Sequence, residues 1–417
     1  MKIAVIGAGI IGVTTAYELA VDGHAVTVFE RRGAAAEETS FANAGILAPG
    51  YVTPWAAPGM PAKVLGQMFQ RHASIKLTLP LGAADIAWMW RWYRACRLDV
   101  FLRNRAHMQR LAFYSRSRLQ AITADLKLEY DRSDGYLVLL RTERDRRMAE
   151  PSLQVLRDAG VSYAQVDAAQ ARRIEPALNP DTNFVGAVVC PDDGVGNCRQ
   201  FALLLKNEAQ RLGVVFRFAT TVERLQAARG FAVQLAGQAQ PEQFDAAVLC
   251  AGLASSHLLR PLGVGVAMAA VYGYSVSAPI REPLNAPRSA IMDEHYKVAI
   301  SRLGQRVRVA GSAELGGSAT HKSAATLRTL YKVLHDWFPG AASRSVGVQE
   351  WKGARPMLPD RPPIVGAASV PGLWLNLGHG SSGWAMACGS ARAVADQVRG
   401  RAPEIDMAGF AHPARPQ

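Results

Sequence analysis

Lys2-Ile3-Ala4-Val5-Ile6-Gly7-Ala8-Gly9-Ile10-Ile11-Gly12 opens the chain, and Ala25-Val26-Thr27-Val28-Phe29-Glu30 follows one helix-length later. A short apolar run, glycines at G-x-G-x-x-G spacing, a helical stretch, a second apolar run and an acidic residue come in that order. Gly7 permits the tight strand-to-helix turn, Gly9 lets the backbone approach a pyrophosphate, and Gly12 lets helix and sheet pack closely. Free N–H groups and the helix dipole favour the phosphate charge at the helix N-terminus. Glu30 is placed to accept from ribose hydroxyls. The unit predicts a βαβ dinucleotide site and leaves NAD and FAD equally open.

The rest of the chain bounds that reading. Its 417 residues suffice for two domains, or for one discontinuous domain with a large insertion. The five cysteines are odd in number and lack CxxC spacing. They argue against a disulfide framework and against a structural zinc site, and suit a reducing compartment, so no metal is expected. The apolar start is the glycine-bearing strand and not a leader, and no stretch is long enough to span a bilayer. Net charge is +13, which serves solubility or attracts substrate carboxylates and anionic membrane surfaces. No nucleic-acid reader motif accompanies it. Disorder is expected only in the Pro-rich C-terminal tail.

Patterning places the other elements. Thr39–Gly45 and the Pro/Gly-rich stretch Pro49–Pro61 read as loops. Ala83 to about Leu126 is helical, Gly135–Leu140 a strand, Arg146–Ala159 a helix ended by Gly160. Arg199–Leu212 is a helix, Val214–Phe216 a strand, and Phe244–Ala251 a buried strand running into Gly252. Strands follow at Val271–Ser277, Lys297–Ile300 and Arg306–Ala310, then a helix at Ala324–Phe338. Leu373–Asn376 is a strand leading through Gly378–Gly383 to a helix from Trp384 to about Val398. The expected fold is α/β. A Rossmann-type FAD-binding domain (1–50, 190–265 and 350–410) joins a mainly antiparallel substrate domain (51–189 and 266–349).

Two further features carry chemistry. Gly378-His379-Gly380-Ser381-Ser382-Gly383 opens a helix. Its N–H groups either meet the charge that develops at a reduced flavin's N1 and O2, or form an ordinary glycine turn capped by Ser381 or Ser382. A serine-hydrolase elbow is excluded, because Trp384 stands where its last glycine belongs. Arg355, in Trp351-Lys352-Gly353-Ala354-Arg355-Pro356, is suited to a bidentate carboxylate pair or to an ordinary ion pair. Tyr272 and Tyr274 alternate on a strand and share one face, as core or as site.

The segments Glu38–Gly45, Pro49-Gly50-Tyr51, Pro54–Gly59, Met292–Ile300, Arg355–Asp360, Pro363–Gly366 and Gly378–Ser390 resemble bacterial D-amino acid dehydrogenases. These belong to the D-amino acid oxidase and glycine oxidase group, and the match runs from residue 1 to about 400. The resemblance implies non-covalent FAD. Gly7, Ala8, Gly9, Ile10, Ile11 and Gly12 would take the pyrophosphate, and Glu30 and Arg31 the adenosine end. Ser40, Asn43, Ala44 and Gly45 would pass near pyrophosphate and flavin, Val222 would hold the adenine, and Ala251–Gly252 would close over the cofactor. Gly378, Gly380, Ser381, Ser382 and Gly383 would meet the flavin ring. Arg355 would bind the substrate carboxylate with Tyr274 or Tyr296 assisting, and Gly380 would lie at the catalytic end.

The implied reaction is hydride transfer from Cα of a D-amino acid to flavin N5. It yields a 2-oxo acid and ammonia, with electrons passed to a quinone or another non-oxygen acceptor. Two departures, Tyr272 where lysine is expected and Ser381-Ser382 where Thr-Leu is expected, leave D-proline or D-hydroxyproline open as substrates. An oxygen-using oxidase, an NAD-linked enzyme and a non-catalytic flavin-binding subunit are the rival readings. Location is expected in the cytoplasm, or on the inner face of the cytoplasmic membrane. Ala84–Phe101, with Trp88, Met89, Trp90 and Trp92 among arginines, either rests on a membrane or packs inside.

Overall fold

The computed structural model describes residues 1–67, 70, 72–158, 160–343 and 345–412. Ala159, at the end of an expected helix, and the tail beyond His412 lie outside the described residues. A six-stranded sheet runs in the order Ile364–Ala367, Leu373–Leu377, Ala246–Leu249, Lys2–Ile6, Ala25–Phe29, Val215–Arg217. All neighbours are parallel except the first pair. Lys2–Ile6 therefore sits between a strand drawn from residue 246 onward and one from residue 25 onward. The glycine turn emerges at the C-terminal edge, where doubly wound sheets bind ligands.

Helix Ile10–Val21 packs against the C-terminal helix Gly383–Val398 and against Cys198–Arg211. The C-terminal helix is crossed in turn by the 28-residue helix Leu98–Asp125. That crossing needs Gly389, where a Cβ would stand 2.9 Å from the Ser115 backbone.

A ten-stranded sheet forms the second layer. Its main path runs Gln349–Met357, Ala269–Pro279, Arg306–Gly316, Val298–Leu303, Ala290–Asp293, Arg132–Leu140, Gly186–Gly196 and Ile46–Leu47. It is antiparallel except where Ala290–Asp293 meets Arg132–Leu140 and where Ile75–Thr78 joins Arg306–Gly316. Ile46–Leu47 and Gln349–Met357 pair here, although chain order allots them to the dinucleotide pieces. Helix Ala324–Trp337 covers one face, burying Tyr274, Val276, Val298, Ile300, Val309 and Trp337 together.

The helical stretch from Ala83 splits into Ala83–Ala95 and Leu98–Asp125, breaking at Cys96–Arg97. Both readings of this segment find a face: Trp88 and Trp92 are buried, while Ile86, Trp90 and Tyr93 are 60, 61 and 56% exposed. No helix among the described residues is long and apolar enough to cross a membrane, and all five cysteines are free thiols.

Candidate active site

The glycine turn is built by exclusion of Cβ atoms. Gly7 has φ +101°, and a Cβ there would lie 2.8 Å from the Cys250 carbonyl and 3.1 Å from Ala251 Cα. On Gly12 a Cβ would come within 1.8 Å of the Gly7 oxygen. Cys250–Ala251 thus backs directly onto the turn. Gly9 stands at the N-cap of helix Ile10–Val21, and no side chain caps it. The Ser40 hydroxyl accepts from Ile10 N at 3.0 Å, which brings the Ser40 loop to this helix end.

Glu30 accepts from Ala8 N at 2.7 Å through one carboxylate oxygen and from Arg32 N at 2.8 Å through the other. Each oxygen keeps a lone pair for a hydroxyl. Arg31 and Arg32 both pair with Glu38. Thr220 N donates to the Glu30 carbonyl at 2.8 Å, bringing the Val222 strand to the same end.

The second glycine segment is tighter than expected. Gly378 and Gly380 take φ of +80° and +60°, and Gly380–Ser382 is a 3-10 turn before the helix starts at Gly383. Ser382 occupies the N-cap position without a side-chain hydrogen bond, so this helix end also keeps donors free. His379 is buried, its Nε2 3.1 Å from Ser390 Oγ, and burial pulls its pKa down to about 3. The ring is neutral at physiological pH.

The Asn43–Gly45 loop is held from below. Arg308 Nη1 donates to the Asn43 carbonyl at 3.0 Å and Ser301 Oγ to the Ala44 carbonyl at 2.6 Å. Gly45 N donates to Asn43 Oδ1 at 3.0 Å.

Register decides what joins Arg355. Val271, Gly273 and Ser275 pair with Arg355, Gly353 and Trp351, while Tyr272 and Tyr274 pair with Ala354 and Lys352. Cross-strand partners share a face and alternate residues do not. Arg355 and Tyr274 therefore lie on opposite faces. Tyr274 is 1% exposed, donates to Glu314, accepts from Ser323 N at 3.2 Å, and has Lys352 Nζ 5.2 Å from its ring. Tyr272 shares that face, 4.4 Å from the same ammonium.

Tyr296 is likewise turned to the helix-covered side, its ring 5.0 Å from Arg141 and 5.4 Å from Lys332. The expected assistance of Tyr274 or Tyr296 to Arg355 is thus corrected. A two-residue alternation put Tyr272 and Tyr274 together, but could not tell which face they shared.

On the Arg355 face the floor is glycine. A Cβ on Gly273 would stand 2.2 Å from Arg355 Nη2, and one on Gly353 would stand 1.7 Å from the Trp351 ring. These glycines are direct partners, so guanidinium and indole converge over neighbouring positions, about 5 Å apart. Arg355 has one hydrogen bond, from Nη1 to the Ser312 carbonyl at 2.8 Å, and no carboxylate partner among the described residues. It lies deep in the protein, yet solvent still reaches it, and burial pulls its pKa down to about 10.

Arg308 shares this face through its pairing with Ser277. It also has no carboxylate partner among the described residues, and burial pulls its pKa down to about 10. Its Nε and the hydroxyls of Ser275 and Ser312 are buried without partners among the described residues. Sequence reasoning missed Arg308, Ser301, Gly273 and Trp351. Only strand register, which no local pattern carries, could have found them.

The family model described as FAD dependent oxidoreductase matches residues 2–397. The chain belongs to that family. Among curated relatives of this FAD-dependent oxidoreductase are two proteins named D-amino acid dehydrogenase. One, from Allorhizobium ampelinum, is 41% identical over 99% of this chain and 98% of its own. The other, from Cereibacter sphaeroides, is 43% identical over 98% and 94%.

Solved structures share the fold. Glycine oxidase from Geobacillus kaustophilus superposes with a TM-score of 0.78 at 19% identity, covering 100% of both chains. Iminodiacetate oxidase from Chelativorans sp. BNC1 gives 0.72 at 18%, covering 99 and 100%. The residues present fit FAD: an uncapped helix end behind a turn that Cβ atoms would fill, a carboxylate with spare lone pairs, and a second uncapped helix end across the sheet edge.

Proposed function

We propose that this FAD-dependent oxidoreductase oxidises D-amino acids to 2-oxo acids and ammonia, passing electrons to an acceptor other than oxygen. The observation that carries the reading is Arg355, a half-buried guanidinium with no carboxylate partner among the described residues, set over a glycine floor. An isolated buried charge is costly, and a carboxylate ligand would remove the cost. The names of relatives at 41 and 43% identity over nearly their whole length support the same substrate class.

In this reading residues Gly7 to Gly12 hold the pyrophosphate and Glu30 the adenosine ribose, beside Arg31 and Val222. Ser40, Asn43, Ala44 and Gly45 line the middle of the cofactor, backed by Ala251–Gly252. The segment Gly378, Gly380, Ser381, Ser382 and Gly383 meets the flavin ring. Bound FAD supplies acceptance of a hydride from a C–H bond beside nitrogen.

The chain's own groups position and polarise. Arg355 clamps the carboxylate and fixes which hydrogen of Cα faces the cofactor, which is the step that proximity accelerates. Gly380, whose φ of +60° and contact with Met357 exclude a Cβ, would let the helix end approach bound FAD, where its N–H dipoles would favour negative charge. His379, neutral and buried, transfers no proton and holds the helix through Ser390. The domain pieces 1–50, 190–265 and 350–410 carry the cofactor and 51–189 with 266–349 the substrate, with strand Gln349–Met357 and its Arg355 crossing over to the substrate sheet.

Trp351 and the paired glycines make a compact, flat site, which favours a second substrate reading: D-proline or D-hydroxyproline. For the acceptor, a quinone fits the exposed Ile86, Trp90 and Leu98 beside arginines. These residues would also rest the protein on the inner face of the cytoplasmic membrane. The test is anaerobic mixing of the yellow protein with a panel of D-amino acids. Bleaching by one of them is expected. A flavin that stays oxidised throughout rejects the reading, and peroxide formed at the turnover rate would make the protein an oxidase.

A further inference from the structure

Arg308 and Ser301 stand side by side as cross-strand partners on the sheet face that carries Arg355. They hold successive peptides of the Ser40–Gly45 loop. Arg308 Nη1 donates to the Asn43 carbonyl at 3.0 Å, and Ser301 Oγ donates to the Ala44 carbonyl at 2.6 Å. Gly196 N pins the end of the loop by donating to the Gly45 carbonyl at 2.9 Å. A trans peptide points its N–H opposite to its carbonyl. Turning the Asn43 carbonyl onto the sheet therefore turns Ala44 N–H away from it. Gly45 N–H is taken by Asn43 Oδ1 at 3.0 Å, whereas Ala44 N–H has no acceptor among the described residues.

Charge around this loop is unbalanced. Arg308 Nε is buried without an acceptor among the described residues. Arg199 lies 4.3 Å above the ring of Phe41, two residues before Asn43, and its Nε is unpartnered in the same way. Arg306 is beside them, donating to Ser277 Oγ at 3.0 Å and to the Gly347 carbonyl at 2.8 Å. The carboxylate set against these three cations is Asp131, whose Oδ2 accepts from Asn197 Nδ2 at 3.3 Å. Cations in such excess favour a negative group on the far side of the loop.

That group is distinct from the carboxylate assigned to Arg355. Gly273 lies under Arg355, and Ser277, four residues further along the same strand, pairs with Arg308. Extended backbone sets those two positions about 13 Å apart.

We propose that Arg308 is a positioning residue for bound FAD, an inference that rests on the placement of FAD along Ser40–Gly45 given above. With Ser301 it presents Ala44 N–H to the cofactor, and its charge favours the reduced flavin over the oxidised one. A hydride brings two electrons and one proton, so it turns a neutral ring into an anion. A fixed cation then stabilises the product of reduction more than the reactant.

The test reads the flavin without any substrate. Loaded protein is diluted to follow release of FAD, and is reduced anaerobically with dithionite beside a dye of known potential. In Arg308→Met, FAD release should quicken about 10-fold, as for loss of a charged hydrogen bond. The equilibrium constant for two-electron reduction should fall about 10-fold, a drop of about 30 mV. Arg308→Lys keeps the charge and should restore the potential. Ser301→Ala should quicken release about 3-fold and leave the potential unchanged. Arg308→Gln, a second neutral variant, reads the same potential should the methionine variant not fold.

A parent-like potential in the neutral variants, with only Tm lowered, would make Arg308 a structural prop and overturn the proposal. A parent-like potential with KM raised for acidic D-amino acids alone would make it a substrate group, with the same consequence. Equal losses of potential in the lysine and neutral variants would trace the effect to a displaced loop and overturn the role of charge. Failure of every D-amino acid to bleach the parent protein is a different result. It rejects the substrate reading, while dithionite and dye still report on Arg308.

Discussion

Two regions of this protein bury arginine, and they treat its charge in opposite ways. At the seam between helices Ile10–Val21 and Gly383–Val398, Arg392 meets three carboxylates: Glu18 at 2.8 Å, Asp396 at 2.9 Å, and Asp22. Arg118 and Arg401 join from outside, at 2.6 Å from Glu18 and 2.8 Å from Asp22. Burial lowers the Arg392 pKa, but hydrogen bonds and charge from Asp22, Glu18 and Asp396 more than offset it and hold it above the usual range. On the open face of the ten-stranded sheet, Arg355 and Arg308 have only backbone carbonyls, and burial leaves both at about 10. Around Arg392 the charge is paired inside the chain and serves architecture, while at half-buried Arg355 and Arg308 it is left open to a ligand.

Four experiments break or sharpen that contrast. Arg392→Met leaves three carboxylates buried with too little cation, so unfolding free energy should drop by about 3–5 kcal/mol. Calorimetry then shows the loss, while KM of the protein that remains folded is unchanged. Arg355→Ala should do the reverse. KM for the amino acid rises on the order of 10²-fold or more, as for any truncated partner of a buried charge pair. Flavin stays bound and Tm does not fall. A Tm loss without a change in KM would remove Arg355 from the site.

Gly273→Ala tests the floor. Its Cβ would stand 2.2 Å from Nη2 and 2.5 Å from Cζ of Arg355, which is a flexible tip able to move. The fold should survive, and kcat/KM should fall about 10-fold or more, since small misplacements of a positioning group are costly. Unaltered kinetics would show that the guanidinium need not lie over the glycines.

The mildest effect concerns the acidic counterpart, Asp193, which is 3% exposed with Arg116 at 3.6 Å. Burial pushes its pKa from 3.8 up to about 7. The folded state then holds a proton that the unfolded state releases, so stability falls as pH rises from 3.8 towards 7. The slope is at most about 1.4 kcal/mol per pH unit. Asp193→Asn should flatten this decline and raise Tm at pH 8 but not at pH 4. A parallel pH profile in the variant would show that the carboxyl is already ionised.

Where sequence and structure agree, the chemistry was local. Gly7, Gly9, Gly12 and Glu30 fall within one βαβ unit, and each is fixed by sterics or hydrogen bonding to near neighbours. The helices and most strands follow from periodicity, with ends shifted by one to three residues in most cases and by more where Arg306–Ala310 runs on to Gly316. The stretch from Ala83 was read as one helix because nothing in it breaks period 3.6, yet the chain turns at Cys96–Arg97.

The substrate end was less legible. Arg355 stood out by its neighbours in sequence. Its true companions, Gly273, Trp351 and Ser312, are set by the register of three strands from residues 269, 306 and 349 onward. Tyr274 was misplaced for the same reason: alternation gives parity, and only the partner strand gives the side. Arg308 had no signal at all, being one of many arginines in the sequence, and only its hydrogen bond to the Asn43 carbonyl sets it apart.

The central position of Lys2–Ile6 also bears on how the protein is made. This strand is made well before its partners: one flank is completed by residues from 246 onward, and the next strand out comes from residues 373 to 377. Its glycine turn is backed by Cys250 and Ala251, and its helix by residues 383 to 398. Such long-range pairing is slow to form and leaves early segments exposed. A nascent chain halted at residue 350 would carry the entire nucleotide fingerprint and still lack the means to retain a cofactor. Retention of flavin therefore waits until residues 373 to 398 have been made and docked.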